Sequence, residues 1–270
     1  MRALLAVLDH IETAPAVLAA AALLAARLPG ARLTVLHVRP AADPGFMPTE
    51  EVMTPARQAH FSAATATRAT ALRGLFDTWP HAAGSVWREE IGEEAAVVLR
   101  EGARADLILL GRAPNAAPGD GRATAEAVLL AAGPPLLLLP ASVPATLGAH
   151  IAVAWKPGAV AERAVVAAAP LLRAAARVTV LSGTDADAGD RVPPEETVHD
   201  LAGLAALPET VSFEIGGRAI GGLLLDEARG AGADLLAMGA YAHARGLERL
   251  FGGATRDVLA AADLPILLHH

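Results

Sequence analysis

The chain has 270 residues, of which 53% are hydrophobic and 19% are charged, with no cysteine and a net charge of −7. This composition supports a large buried core and excludes a disulfide framework, a thiol nucleophile and any cysteine-based zinc site. The acidic balance, the lack of a basic run and the 3% of aromatic residues argue against nucleic acid as the main partner. The absence of cysteine suits a reducing cytoplasm, where we expect the protein to act.

Two apolar stretches have the composition of membrane segments, residues 13–26 and residues 127–155. Asp9 and Glu12 precede the first stretch, and no signal-peptide cleavage pattern follows it. Glycines and prolines break the second stretch into pieces too short to cross a bilayer as a helix. We therefore predict no membrane insertion.

Short apolar strands alternate with helices along the first half of the chain. The predicted strands are Ala3–Leu8, Leu33–Val38, Ser85–Glu90, Leu107–Leu110 and Leu136–Leu139. The predicted helices are Ala14–Leu28, a segment near Arg57–Phe76, Glu93–Glu101 and Thr124–Ala132. Continuous apolar strands between helices are typical of a parallel sheet covered on both faces. The pattern predicts an open, doubly wound α/β unit of five parallel strands.

The second half of the chain repeats the first. ARLTVLHV at 31–38 matches ARVTVLSG at 176–183, and GARADLILLGR at 102–112 matches GAGADLLAMGA at 230–240. The opening segments LLAVLD and IAVAWK also match, as do the closing segments AEAVLLAAGPPLLLLP and TRDVLAAADLPILLHH. Matches that keep their order indicate a tandem duplication.

The join lies between Ala141 and His150. We predict two domains, residues 1–142 and residues 148–270, each a doubly wound five-stranded parallel sheet. Ligands of such sheets bind beyond the carboxyl ends of the strands.

A set of spaced small residues follows the fourth strand of the second half: Gly239, Ala242, Gly252 and Gly253, then Thr255. Its place between ADLLAMG and LPILL resembles the nucleotide-binding motif of the universal stress protein family, in its tandem two-domain members. That motif has a glycine, two residues, a second glycine, nine residues, a third glycine and a serine or threonine. The spacing is kept here, with alanine at the second glycine and glycine at the hydroxyl position.

The resemblance implies a Rossmann-like fold of the adenine nucleotide alpha hydrolase type and a role in the stress response. It also implies a possible ligand, ATP or another adenine nucleotide, and no metal is predicted. Family members pair through their last strand. We therefore expect the halves to form an intramolecular pseudo-dimer, with further dimerisation open to the chain.

The predicted nucleotide site lies at the carboxyl ends of the strands in the second half. Its members are Ala154, Trp155, Lys156, Leu181, Met238, Gly239, Ala242, Gly252, Gly253, Ala254 and Thr255. A helix predicted to begin at Thr255 would direct free backbone N–H groups and its dipole towards a phosphate. The base is expected near Ala154 and Trp155, beside the end of the strand that contains Leu181.

Three positions of this site have a second interpretation. Thr255 either donates to phosphate or only caps its helix, and one residue can do both. Lys156, the only lysine, either reaches a phosphate or is an ordinary solvated side chain. It stands where the family has an aspartate that meets the ribose, and an ammonium cannot accept a hydrogen bond. The methyl group of Ala242 either fits or crowds the phosphates.

The first half keeps the aspartate that the second half lacks but has lost most of the glycine motif. It keeps Asp9 and Gly111, but Pro114 and Pro118 remove donors from the loop that would cradle a phosphate. We predict that this pocket is degenerate and that the chain binds at most one nucleotide, in its second half.

No set of residues predicts catalysis. The pairs Glu89-Glu90 and Glu93-Glu94 are typical of a solvated strand end and a helix start, and His243 of a solvent-facing loop. The first hypothesis is therefore a small-molecule binding or sensor module. The alternative is a nucleotide-free interaction or scaffold protein, which the departures at Ala242, Gly253 and Lys156 favour. A third option, an ATP-hydrolysing enzyme, lacks a visible base or metal carboxylate.

Overall fold

The computed structural model describes residues 1–43, 45–46, 53–112, 122–131, 133–143, 145–184, 193–240 and 253–270. The chain divides into two compact units. The first comprises residues 1–25, 30–134 and 139–142, and the second comprises residues 26–29, 135–138 and 143–270.

The first unit alternates strands and helices as its apolar pattern predicts. Its elements are β1 (Ala3–Val7), α1 (Ala14–Arg27), β2 (Arg32–Pro40), α2 (Pro55–Thr78), a short 3-10 helix (Ala82–Gly84), β3 (Ser85–Gly92), α3 (Glu94–Gly102), β4 (Leu107–Gly111) and α4 (Arg122–Leu130). Next comes β5 (Leu136–Leu139), whose residues are shared between the units. The chain turns out of α1 at Pro29 and Gly30, where Gly30 has a φ of 79° that favours glycine.

The sheet of the first unit is parallel, with strand order β3-β2-β1-β4. β1 is central, and its Val7 lies between Leu36 of β2 and Leu110 of β4. All three of these side chains are almost completely buried. The carboxyl ends of the strands share one edge, so residues that follow β1, β2 and β3 lie on the same side of this sheet.

The second unit repeats this arrangement. Its elements are β6 (His150–Trp155), α5 (Ala159–Ala174), β7 (Arg177–Thr184), α6 (Pro194–Ala202), β8 (Glu209–Glu214), α7 (Ile220–Gly230), β9 (Leu235–Gly239), α8 (Gly253–Ala261) and β10 (Ile266–His269). Strands β10-β9-β6-β7-β8 are parallel in that order. Residues 136–138 of β5 add an antiparallel strand to β10. The repeat assigns those residues to the first half, whereas their contacts place them in the second unit.

The same aspartate contact, which we call the buttress, occurs in both units and supports the alignment of the two halves. The Asp106 carboxylate accepts hydrogen bonds from the backbone N–H groups of residues 2 and 3. The Asp234 carboxylate accepts from those of residues 149 and 150, at 3.0 and 3.1 Å. Each aspartate therefore anchors the start of its central strand from the turn before the neighbouring strand.

The predicted fold class is confirmed, and two boundaries differ from the sequence prediction. α8 begins at Gly253, so Thr255 lies in its first turn, which does not fit the alternative that Thr255 only caps this helix. β7 continues to Thr184, so Leu181 lies inside the strand and not at its end. The domain limits 1–142 and 148–270 stay a prediction.

Candidate functional site

Asp9 lies at the base of the first-half cleft, just after β1. Its Oδ1 accepts from the His10 backbone N–H at 2.8 Å and from the Thr13 hydroxyl at 3.4 Å. Its Oδ2 has no hydrogen-bond partner within the described part of the chain and lies 3.9 Å from His10 Nε2. The side chain is 1% exposed. Burial raises the pKa of Asp9, partly offset by the neighbouring His10.

Glu94, the first residue of α3, brings a second carboxyl group into this cleft. Its Oε1 accepts a hydrogen bond of 2.7 Å from the Thr124 hydroxyl in the first turn of α4. Burial raises the pKa of Glu94, and the charge of Asp9 raises it further. The preceding residue, Glu93, instead caps α3 through the N–H groups of residues 95 and 96. The two glutamates therefore differ in role, although both are predicted from the sequence to belong to the start of one helix.

His37 of β2 is another buried polar group of the first unit. Its Nδ1 lies 2.8 Å from the Leu8 carbonyl, so that nitrogen carries the proton and donates. Burial lowers the pKa of His37, and the nearby positive charge of Arg68 lowers it further. His37 Nε2 and Arg68 Nε are buried without a hydrogen-bond partner among the described residues.

In the second unit, three predicted site residues lie side by side across the sheet. Ala154 of β6 is in register with Leu181 of β7 and with Met238 of β9. Leu181 and Met238 are buried, and Ala154 is half-buried. These residues form an apolar patch near the carboxyl ends of the strands.

Trp155 and Lys156 mark the exit from β6. Trp155 is 6% exposed and is in register with Ser182. Lys156 is exposed in the loop that leads to α5, which begins after Gly158. The structure therefore places a cation at the rim where the first half has the buried Asp9.

The first glycine of the motif serves helix packing in both units. A Cβ on Gly239 would lie 2.7 Å from Val160 Cγ1 and 3.0 Å from the Val160 carbonyl oxygen in α5. A Cβ on Gly111 would meet the Thr13 side chain at an equally short distance. Close approach of a helix explains these two glycines without a ligand.

α8 begins at Gly253, directly after residues 241–252, which lie outside the described part of the chain. Gly253 is exposed, and no described atom lies within 4 Å of the position of its missing Cβ. Ala254 is half-buried and Thr255 is 4% exposed. The first N–H groups of a helix have no partner within it, so this end can donate to an anion.

Several sequence-predicted positions lie outside the described residues. They are Ala242 and Gly252 of the motif, together with Pro114, Pro118 and His243. Within the described ranges, no group of three histidine, aspartate or glutamate side chains could hold a metal ion. No helix there is long and apolar enough to cross a membrane.

The buried polar cluster of the first half was missed from the sequence. Asp9 was noted, but Glu94 and Thr124 were not expected to meet it. The repeat carried part of the signal, because the position of Thr124 is taken by Ala254, which has no hydroxyl group, in the second half.

A family model described as the universal stress protein family matches residues 1–140. The chain belongs to the universal stress protein family. Membership supports a role in the stress response. No curated protein matches the chain.

Solved structures share the fold over almost the whole chain. A universal stress protein from Archaeoglobus fulgidus is 14% identical, with a TM-score of 0.71 over 99% of this chain and 95% of its own. A Pseudomonas aeruginosa protein assigned to the universal stress proteins is 16% identical, with a TM-score of 0.56 over 100% and 93%. A protein of unknown function from the same species is 15% identical, with a TM-score of 0.54 over 100% and 92%. At these identities the likeness is one of fold.

Proposed function

We propose that this universal stress protein is a small-molecule binding or sensor module that holds one adenine nucleotide, such as ATP, in its second half. The observation that carries the proposal is the open start of α8 at Gly253, at the carboxyl-end side of a parallel sheet. Phosphate would receive hydrogen bonds from the N–H groups of the first turn, Gly253 to Thr255.

Charge favours the second half over the first. A nucleotide phosphate is an anion, and the exposed Lys156 stands at the rim of the second cleft. The equivalent of Lys156 in the first half is Asp9, a carboxyl group close enough to a second one, Glu94, for its charge to raise the pKa of Glu94. An anion entering the first cleft would meet carboxyl groups, whereas an anion entering the second would meet an ammonium group.

The adenosine part would lie against the apolar patch of Ala154, Leu181 and Met238. Trp155, the next residue of β6, belongs to the other face of the sheet. Leu181 is completely buried, so it supports this patch from within the sheet, and Ala154 is the member open to a ligand. Apolar walls with a few polar groups at the rim are typical of small-molecule sites.

We also propose that the protein acts in the cytoplasm and that its halves form an intramolecular pseudo-dimer. The cysteine-free composition supports the location. The antiparallel pairing of residues 136–138 with β10 supports the second point, because the repeat assigns these strands to different halves.

Titration calorimetry with ATP, ADP and AMP tests the nucleotide site, with Gly253→Val as the key variant. Valine has room in the folded chain, since nothing described lies near that Cβ, but it fills the approach to the helix start. Binding is expected in the wild type and is expected to disappear in this variant. Gly230→Val is the matched control, because Gly230 has the same free space at the far end of α7.

The outcome separates the two functions. Binding that survives Gly253→Val would place the nucleotide elsewhere. No heat at about millimolar nucleotide, a concentration that detects even weak binding, would favour the nucleotide-free interaction protein.

A further inference from the structure

Two neighbouring polar atoms of the first cleft are buried without a hydrogen-bond partner among the described residues. One is Asp9 Oδ2, on a side chain that is 1% exposed, and the other is His10 Nε2, which lies 3.9 Å from that oxygen. The oxygen accepts when the carboxyl group is ionised, and the nitrogen accepts in the tautomer that carries its proton on Nδ1. Because buried polar atoms rarely lack partners, the pair indicates a place for a group that donates hydrogen bonds.

Glu94 brings a second carboxyl group close to Asp9. The Thr124 hydroxyl donates to one of its oxygens, Oε1, at 2.7 Å. Burial raises the pKa of both carboxyl groups, and the charge of Asp9 raises that of Glu94 further. The positive charges of His10 and Arg68 lower the pKa of Glu94 without cancelling this rise. The cleft therefore holds two carboxyl groups whose negative charge its own cations do not fully offset.

An ammonium group supplies what this cluster lacks. It carries a positive charge and N–H donors, and it has no acceptor of its own. A metal ion is the other cation to consider, but no group of three histidine, aspartate or glutamate side chains in the described ranges could hold one. An anion is disfavoured, because two carboxyl groups would repel it.

We propose that the first cleft is a binding site for a small primary amine, whose ammonium group donates to Asp9 Oδ2 and His10 Nε2 beside the Glu94 carboxylate. This inference does not rest on the nucleotide site proposed for the second half. The repeat places the ammonium group of Lys156 at the position of Asp9, so we expect one amine per chain. His10 and Glu94 are partly exposed, so the cluster borders solvent.

Thermal denaturation with methylammonium chloride tests the inference, with tetramethylammonium chloride and sodium chloride at equal ionic strength as matched controls. Tetramethylammonium has the same charge but no N–H donor. At about ten times its Kd, methylammonium is expected to raise the wild-type melting temperature by about 2 °C or more above the value in tetramethylammonium. Equal melting temperatures in the two cations across the millimolar range would overturn the inference.

Neutral variants of the two carboxyl groups locate the effect. Asp9→Asn and Glu94→Gln keep the side-chain size and remove one charge each, so each is expected to lose most of the methylammonium-specific rise. Glu162→Gln removes an exposed carboxylate from the first turn of α5 and is expected to keep it. Melting temperatures in sodium chloride report whether each variant folds. A full rise in Asp9→Asn would overturn the inference.

The dependence on pH gives a second readout. An alkylammonium group, like that of lysine, keeps its proton up to about pH 10, whereas the carboxyl groups gain protons as the pH falls. The methylammonium-specific rise is therefore expected to be larger at about pH 8 than at about pH 5. Protonation of His10 acts in the same direction, and Arg68 stays charged throughout. A rise that is the same at both pH values would contradict binding by the carboxyl pair.

Discussion

The two clefts of this chain are built on the same backbone fold and differ in the polarity of their side chains. After the central strand, the first half has Asp9, His10 and Thr13 where the second has Lys156, Pro157 and Val160. Along the repeat, Thr124 in the first turn of α4 corresponds to Ala254 in the first turn of α8. Each of these four exchanges removes a polar group from the second cleft or reverses its charge.

This difference shows how the two copies of a duplicated fold can keep the same sheet and differ in the chemistry of their clefts. The first cleft brings carboxyl and hydroxyl groups together, through the Asp9–Thr13 and Glu94–Thr124 hydrogen bonds, and leaves Asp9 Oδ2 buried without a partner among the described residues. In the second cleft, no described atom lies within 4 Å of the Cβ position of Gly253, the first residue of α8. Shared elements, such as the Asp106 and Asp234 buttresses, maintain the fold in both, so the clefts can diverge without loss of the sheet.

The largest expected effect is a difference in stability between substitution of Gly239, which packs against α5, and substitution of Gly253, which has free space at its Cβ position. Gly239→Ala places a Cβ 3.0 Å from backbone of α5, which cannot move as a flexible side chain can, and is expected to cost about 1–3 kcal/mol of unfolding free energy. Gly253→Ala has free space and is expected to cost little or to stabilise α8. Urea unfolding of both variants measures this contrast, and equal costs would show that Gly239 has no packing role.

The paired buttresses should differ by burial. Asp234→Ala leaves two backbone N–H groups without their acceptor at an 8% exposed position and is expected to cost about 1–3 kcal/mol. Asp106→Ala removes the same bonds at an exposed position, where water replaces the acceptor, and is expected to cost about 1 kcal/mol or less. Denaturation midpoints measure both losses of stability. A larger loss at Asp106 than at Asp234 would contradict the difference that is argued from burial.

The carboxyl pair of the first cleft should make stability depend on pH. Asp9 and Glu94 have folded-state pKa values raised above their ordinary 3.8 and 4.5. The stability from their protonation is therefore fully present below those ordinary values and is lost as pH rises through the folded values. Relative to the double variant Asp9→Asn and Glu94→Gln, the wild type is expected to lose about 1 kcal/mol between about pH 4 and about pH 8.

Chemical denaturation of both proteins across this range measures the difference. Groups such as Asp106, whose pKa is lowered by backbone N–H donors, act in the opposite direction but are present in both proteins and cancel. A stability difference that does not change with pH would show that the pair carries no raised pKa.

The smallest expected effects concern ligand affinity at single polar groups. Thr255→Val removes a hydroxyl from the first turn of α8 and is expected to cost about 0.5–1.5 kcal/mol of nucleotide binding, the range of one neutral hydrogen bond. Asp9→Ala, in the other cleft, is expected to leave nucleotide affinity unchanged. Calorimetric titration of both variants checks this, and a loss at Asp9 would place the nucleotide in the first half.

Much of the fold was predictable because apolar strands, helix stops and an ordered repeat are local or periodic features of the sequence. β5 was predicted with its observed bounds, and β4 within one residue. The start of α8 was placed two residues late, since the Thr255 hydroxyl suggested a cap that the backbone does not use.

The site was less predictable because its character depends on side chains brought together from distant segments. Glu94 and Thr124 are 30 positions apart, and only the fold shows that one accepts a hydrogen bond from the other. Gly239 was assigned to a ligand, whereas its close neighbour is Val160 in α5. The sequence alone does not distinguish a glycine that a helix approaches from a glycine that a phosphate approaches.

Native mass spectrometry of the chain with saturating ADP, run beside Gly253→Val, tests the central claim most directly. One retained nucleotide per wild-type chain and none in the variant is the predicted result, because Gly253 at the start of α8 has no described atom near its Cβ position, whereas Thr124 at the start of α4 is engaged by the Glu94 carboxyl group. Two nucleotides per chain, or one that persists in Gly253→Val, would contradict it.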